Sequence, residues 1–429
     1  MYWCEWAWLP DGPSRDVLFG VQDGRITSVR QGDAPGGARR LPGLVVPGLA
    51  NAHSHAFHRA LRGDTRRGTF WTWRERMYRV AAQLDPDTYY LLARGVYAEM
   101  VQAGITGVGE FHYLHHAPGG VRYRDPNAMN HALAQAAHDA GIRLTLLDTC
   151  YLAGGFGHEL DEVQRRFSDG DAAGWADRVE SFTADDVVLG GAVHSVRAVP
   201  ADAIGEVAGW SRDRKVPLHV HVSEQRAENE ACLAAHGRTP VQLLAERGAL
   251  GENVTAVHAT HLAARDVALL GGSGTGVCLC PTTEADLADG IGPAGALAVA
   301  GSPLSLGSDG HSVIDLLAEA QAVESYQRLA SETRGHHAPG ELLAMATAHS
   351  ALGHPDAGRL DVGARADFVA LDLDTPRLAG VAPEAVPAVA RAEDVRDVII
   401  DGRDVVADGA HTAIDTAREL RASIAALRT

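Results

Sequence analysis

The chain has 429 residues, with 55 acidic against 38 basic side chains and a formal charge of −17. That balance offers no general attraction to a phosphate backbone or an anionic lipid surface, so neither nucleic acid nor membrane is an expected partner. With 46% hydrophobic and 6% aromatic residues, the composition supports a buried core, and the length suits one large unit with a minor one attached. Cys4, Cys150, Cys232, Cys278 and Cys280 are odd in number and form neither a CxxC pair nor a disulfide framework, which fits a reducing compartment. The opening MYWCEWAWLP lacks the basic region and cleavage site of a secretory signal, and no stretch reaches the roughly 18 apolar residues of a spanning helix. The expected location is the cytoplasm.

Residues 1–44 alternate short apolar runs with turn signals, and VLFGVQDGRITSVRQGD reads as two strands joined at Asp23-Gly24. Near the other end, VRDVIIDGRDVVADGA repeats the pattern with Asp401-Gly402 as the turn, so residues 1–44 and 358–429 are expected to build one small β domain, with a helix over the last residues. Between them, residues 45–357 repeat strand, loop and helix. Strand ends fall at LVVPGLANAH, ITGVGEFHYL, RLTLLDTCYL, VVLGGAVHSV, VPLHVHVSE, NVTAVHATH, TGVCLCPTTE and SPLSLGSDG, with helical patterns such as PDTYYLLARGVYAEMVQAG between them. Eight such units predict an α/β fold, a closed (β/α)8 TIM-type barrel whose active site is built from the C-terminal ends of its strands.

The unusual polar residues sit at those ends. The first strand offers His53 and His55, two residues apart and therefore on one side of a strand. The fifth offers His219, His221 and Glu224, the sixth His258 and His261, and the eighth Asp309 and His311. One strand-end histidine is ordinarily a hydrogen-bonded structural residue, and HxH pairs arise by chance among 21 histidines. Recurrence at four ends that a barrel brings together points instead to a metal centre, for which three histidines and an aspartate suffice.

These residues resemble the amidohydrolase superfamily, and within it the formimidoylglutamate deiminase family. The resemblance covers essentially the whole chain, through PGLANAHSHAF, FWTWRERMY (70–78), GEFHYLHH (109–116), HSVRAV (194–199), HVHVSEQ (219–225), VHATHL (257–262), CPTTEADLADG (280–290) and GSDGH (307–311). The HxH, HxxE and SD motifs mark the superfamily, and FWTWRE with EFHYLHH narrows it to the family. It implies His53, His55, His221 and Asp309 as metal ligands. His221 is preferred over His219 for its spacing to Glu224, although periodicity alone leaves both open. Binuclear members bridge their metals with a modified lysine at the fourth strand, whereas that strand here ends in HSVR and Lys215, the only lysine, precedes the fifth strand. One divalent ion per chain, Zn(II) by its donors, is therefore expected.

The resemblance further implies hydrolysis of N-formimidoyl-L-glutamate to N-formyl-L-glutamate and ammonia in histidine degradation. Glu224 is expected to shuttle the proton, Asp309 to accept it from water, and His258, favoured over His261, to stabilise the intermediate. Two substrate carboxylates call for fixed donors: Arg197 and Tyr113 for the α-carboxylate region, His194 beside them, and Arg74, in an FWTWRE loop over the barrel mouth, for the side-chain half, with Arg76 and Arg79 as competitors. His58 stands where the family usually has Gln, and Gly310 where Ser is commoner, so a ligand contact from His58 is a departure. Trp71, Trp73 and Tyr78 either line the pocket or pack on the barrel rim. A small anionic substrate and a homodimer are the expected partners. The alternative functions are another deaminase or chlorohydrolase of the superfamily acting on a purine, triazine or guanidine compound, and a non-catalytic scaffold, whose signature of missing ligands this chain lacks.

Overall fold

A computed structural model describes residues 1–63, 68 and 70–427. Eight parallel strands close into a barrel: Leu49–Ser54, Ile105–His112, Arg143–Cys150, Val187–Ser195, Leu218–Val222, Val254–His258, Gly276–Leu279 and Leu304–Leu306, called here the first to eighth. The second and third are buried at every residue, the mark of a parallel strand covered on both faces. The helix between the first two strands, Pro86–Gln102, starts where Asp85 and Thr88 cap each other and Pro86 takes the first position, where its missing N–H costs nothing.

The chain ends build one further sheet of eight strands. Across it the order runs Ala410–His411, Arg403–Ala407, Val395–Ile400, Phe368–Leu371, Arg39–Pro47, Tyr2–Leu9, Gly12–Gln22 and Arg25–Gln31, antiparallel except where Tyr2–Leu9 runs alongside Arg39–Pro47. Both expected hairpin turns form. Asp23 and Gly24 have φ of 49° and 74°, and Asp401 and Gly402 have 49° and 72°, the left-handed pair of a type I′ turn. The sheet has its own core, including Val17, Phe19, Ile26, Leu41, Val45, Phe368 and Ile399. Strand Arg39–Pro47 spans the 44/45 position, and only Gly48 separates it from the barrel. Among the described residues no helix is long and apolar enough to cross a membrane.

The two units are locked by a buried ion pair. Arg143, at the start of the third strand, reaches Asp367 through both Nη atoms (3.0 and 3.2 Å) and Asp401 at 3.1 Å. The Arg143 and Asp367 side chains are only 6% and 2% exposed, so removing one leaves the other desolvated. Asp367→Ala is expected to lower the unfolding free energy by about 3 kcal/mol, measured by guanidinium denaturation. A loss below about 1 kcal/mol would assign the docking to apolar packing instead.

Candidate metal centre and substrate pocket

The strand ends bring His53, His55, His221 and Asp309 together, one donor atom from each lying within 4.8 Å of the others. His221 Nε2 is 3.0 Å from His53 Nε2 and 3.3 Å from His55 Nε2. Asp309 Oδ1 is 3.4 Å from both His53 Nε2 and His55 Nε2. Two tautomers are set from behind: His55 Nδ1 donates to the Phe111 carbonyl at 2.8 Å, and His221 Nδ1 to the His194 carbonyl at 2.9 Å. A neutral imidazole protonated on Nδ1 carries a lone pair on Nε2, so these two rings aim lone pairs at each other beside a carboxylate oxygen. That arrangement repels itself and suits a cation. Donors about 2.0–2.1 Å from a tetrahedral Zn(II) stand about 3.3–3.4 Å apart, close to the spacings found.

Protonation agrees with that fit. Burial pushes His53 down to about 3 and lowers His55 and His221 as well. Burial alone would raise Asp309, but hydrogen bonding to His53 and the neighbouring imidazoles hold its carboxyl far below the usual range. The three imidazoles are thus neutral and the carboxylate ionised at neutral pH, the charge states metal binding requires. His219, one layer deeper, is not among them: its Nε2 meets the Ala351 carbonyl at 3.0 Å. His311 bonds Ser54 and Ser308, each at 3.2 Å, and His261 bonds the Asp289 carbonyl at 2.8 Å.

A pocket opens on the cluster, lined by His55, His221 and Asp309 together with Glu224 and His258. His258 Nε2 lies 3.9 Å from Glu224 Oε1 and 3.8 Å from Asp309 Oδ2, while its Nδ1 is 3.4 Å from Glu284 Oε1. Burial disfavours a charged ring, yet the carboxylates of Glu224, Glu284 and Asp309 hold its pKa well above the ordinary value. Burial raises Glu224 in turn. The turns behind these strands are left-handed at Ser223, His258, Ala259, Asp309 and His311, with φ from 37° to 69°, strain held at the rim where the polar side chains converge.

The same pocket is lined by Arg197, Tyr113, His194, Arg74 and His58. The Arg197 side chain is 20% exposed and its Nε lies 3.5 Å from buried Glu228 Oε2. Tyr113 Oη and His58 Nε2 are 3.1 Å apart, so the histidine reaches the pocket wall through a tyrosine partner. Arg74 stands 5.5 Å over the Tyr78 ring and belongs to helix Phe70–Gln83 rather than a loop. Arg76 and Arg79 are not lining residues, whereas Trp73 and Tyr78 are; the Trp71 side chain lies outside the described residues. Lys215 is exposed at the opposite end of the fifth strand, and that end of the fourth strand nearest the cluster carries His194 and Ser195.

Sequence reasoning assigned no role to Glu284, Tyr151 or Glu110. Glu284 lies within CPTTEADLADG, where a carboxylate in the first turn of helix Pro281–Asp286 also accepts the Cys280 N–H at 2.9 Å. Tyr151 follows the third strand without any motif. Glu110, fully buried and pushed by burial up to about 8, accepts from Ser54 Oγ and the Ala56 N–H at 2.7 and 2.6 Å, pinning the loop beyond His55. Its place in GEFHYLHH was the available signal.

A closed parallel barrel with a histidine-rich, carboxylate-bearing cluster at the C-terminal strand ends defines a hydrolase of the metal-dependent barrel class. The amidohydrolase family model matches residues 44–405, and the chain belongs to that family. It is 38% identical over 422 residues to the formimidoylglutamate deiminase of Pseudomonas aeruginosa, covering 93% of this chain and 92% of that protein. It is 30% identical over 399 residues to a 5-methylthioadenosine/S-adenosylhomocysteine deaminase of Natronomonas pharaonis, covering 90% and 87%. The crystal structure of an amidohydrolase from Brucella melitensis superposes with a TM-score of 0.92 at 34% identity, over 100% of this chain and 99% of that one.

The cluster yields a direct test. Purified protein is expected to carry about one divalent ion per chain by elemental analysis, and His55→Ala or His221→Ala to lower that content at least tenfold, since each removes one of four donors. Two ions per chain would overturn the argument from the fourth strand.

Proposed function

We propose that the protein hydrolyses the C=N bond of N-formimidoyl-L-glutamate, giving N-formyl-L-glutamate and ammonia, as a step of histidine degradation. The observation that carries this reading is the presence of two arginines, Arg197 and Arg74, in the same small pocket as the His/Asp cluster. A substrate with two carboxylates gives both guanidinium groups a partner, and the similarity to the Pseudomonas enzyme supports the same choice.

His53, His55, His221 and Asp309 would hold the metal, for which Zn(II) is the best match. When bound, a divalent cation supplies Lewis acidity that brings the pKa of water towards about 7. Asp309 divides its labour: Oδ1 faces the histidine cluster while Oδ2 faces His258, so one oxygen can hold the ion and the other accept the proton of the attacking water. Glu224, its pKa raised by burial, delivers a proton to the imine nitrogen, takes one from the intermediate's hydroxyl as the carbonyl forms and passes it to the departing amine, and the water proton held on Asp309 restores it. His258, charged between its carboxylates, donates a hydrogen bond to developing negative charge. Arg197, with Tyr113 and His194 beside it, binds the α-carboxylate.

Ammonia release is expected from N-formimidoyl-L-glutamate and not from guanine, 5′-methylthioadenosine or N-carbamoyl-L-glutamate. No release from the first compound rejects the reading. Glu224→Gln is expected to lower kcat by about 10²–10⁴-fold with metal content unchanged, because only proton transfer is removed. Equal loss of metal and activity would move Glu224 into the ligand set.

A further inference from the structure

At the edge of the pocket lies a hydrogen-bond arrangement that the reaction does not use. Gln164, 2% exposed, sits in the 3-10 turn Gln164–Phe167. Its Oε1 accepts the Asp161 backbone N–H at 2.9 Å, and Asp161 Oδ1 accepts the Gln164 N–H at 2.8 Å, so the amide is fixed with Nε2 pointing away from that turn. Nε2 then donates to two phenol oxygens, Tyr78 Oη and Tyr151 Oη, each at 3.0 Å. Both amide hydrogens are spent, and each phenol serves as an acceptor.

The consequence concerns the phenol hydrogens. Both phenol oxygens accept from the same amide nitrogen, and a bond from one hydroxyl to the other would take only one of the two hydrogens. At least one O–H is left to donate elsewhere, and both rings line the pocket beside Arg74 and Arg197. Position matters too. The His194 ring stands between, 4.5 Å from the Tyr151 ring and 5.2 Å from the His221 ring, so the Tyr151 ring lies a ring's width beyond His194 from the cluster, and Gln164 ties the Tyr78 hydroxyl to that of Tyr151. In a substrate whose α-nitrogen carries the reacting carbon, the group at that distance is the side-chain carboxylate.

Resting on the function proposed above, we infer that Tyr78 and Tyr151, with Arg74, form the subsite for the substrate's side-chain carboxylate, and that Gln164 is a positioning residue that turns their hydroxyls towards it. Specificity for a dicarboxylate follows, because a neutral side chain leaves a desolvated phenol donor without an acceptor.

The experiment compares wild type, Tyr78→Phe, Tyr151→Phe and Gln164→Glu on N-formimidoyl-L-glutamate and on N-formimidoyl-L-norvaline, which has a methyl group in place of the side-chain carboxylate. Gln164→Glu keeps the shape but turns a donor into an acceptor, drawing the phenol hydrogens out of the pocket. Each variant is expected to raise KM for the dicarboxylate about tenfold or more with kcat within about twofold, and to leave kcat/KM for the norvaline compound unchanged. Equal losses on both substrates, or no loss on the dicarboxylate, overturn the inference. Calorimetric binding of N-formyl-L-glutamate against N-formyl-L-norvaline decides it without turnover: the preference is expected to shrink about tenfold in the variants, and an undiminished preference rejects the subsite. A wild type that binds the former tightly but releases no ammonia from formimidoylglutamate fails the functional reading alone.

Discussion

Everything at the candidate metal centre depends on how the barrel closes. The eighth strand meets the first through one ladder pair, Leu306 with Asn51, and one isolated bridge, Ser54 with Asp309. Such a short seam is reinforced by a side chain: Asn51 Oδ1 accepts the Ser308 N–H at 2.9 Å and Asn51 Nδ2 donates to Ser308 Oγ at 2.7 Å. Gly307 makes the approach possible, since a Cβ there would stand 2.7 Å from His53 Cβ and 2.9 Å from Cys280 Sγ. The Asp309 N–H then bonds the His53 carbonyl at 3.0 Å. Backbone from the first and last strands of the barrel thereby sets the distance between an aspartate and two histidines, and the geometry of the cluster follows from the closure itself.

Closure also creates an electrostatic problem, because it buries carboxylates and imidazoles together where water cannot screen them. The solution is alternation. Glu284, His258, Glu224 and Asp309 place one cationic ring among three acids, and the three imidazoles of the metal cluster stay neutral beside one ionised carboxylate. Glu284 matters here although it lies behind the pocket: it holds His258 Nδ1 and so fixes which edge of the ring faces Glu224 and Asp309.

How much of this was legible in the sequence varies with its physical origin. Period-two spacing and strand-end position marked His53 and His55 and a wider set of strand-end candidates, from which the family resemblance drew His221 and Asp309, and two Asp-Gly dipeptides marked both hairpins because only certain residues tolerate a left-handed turn. The choice between His219 and His221 lay beyond periodicity. It is decided by depth along the barrel axis, where Ala351 claims the deeper ring. The segment around Arg74 gave a helix where an open loop was expected, since its aromatic and charged residues satisfy a helical face once the barrel rim supplies a surface to pack on. The roles of Gln164 and Tyr151 were invisible for another reason: they depend on a contact between residues 86 positions apart or fewer that no local pattern encodes.

That difference explains why the chemical class of such an enzyme is easier to read than its substrate. The metal donors stand on strands whose positions the barrel dictates, so a change in any of them damages the site for every substrate alike. The far wall of the pocket comes instead from segments laid between the strands: the helix Phe70–Gln83 after the first, Tyr151 and the turn Gln164–Phe167 after the third, and Arg197 after the fourth. These segments carry none of the barrel's hydrogen-bond ladder and can be exchanged without disturbing its closure. In this chain they bring two guanidinium groups and two oriented phenols to bear on a pocket of small volume. A change of substrate therefore requires changes only in segments that the fold itself leaves free to vary.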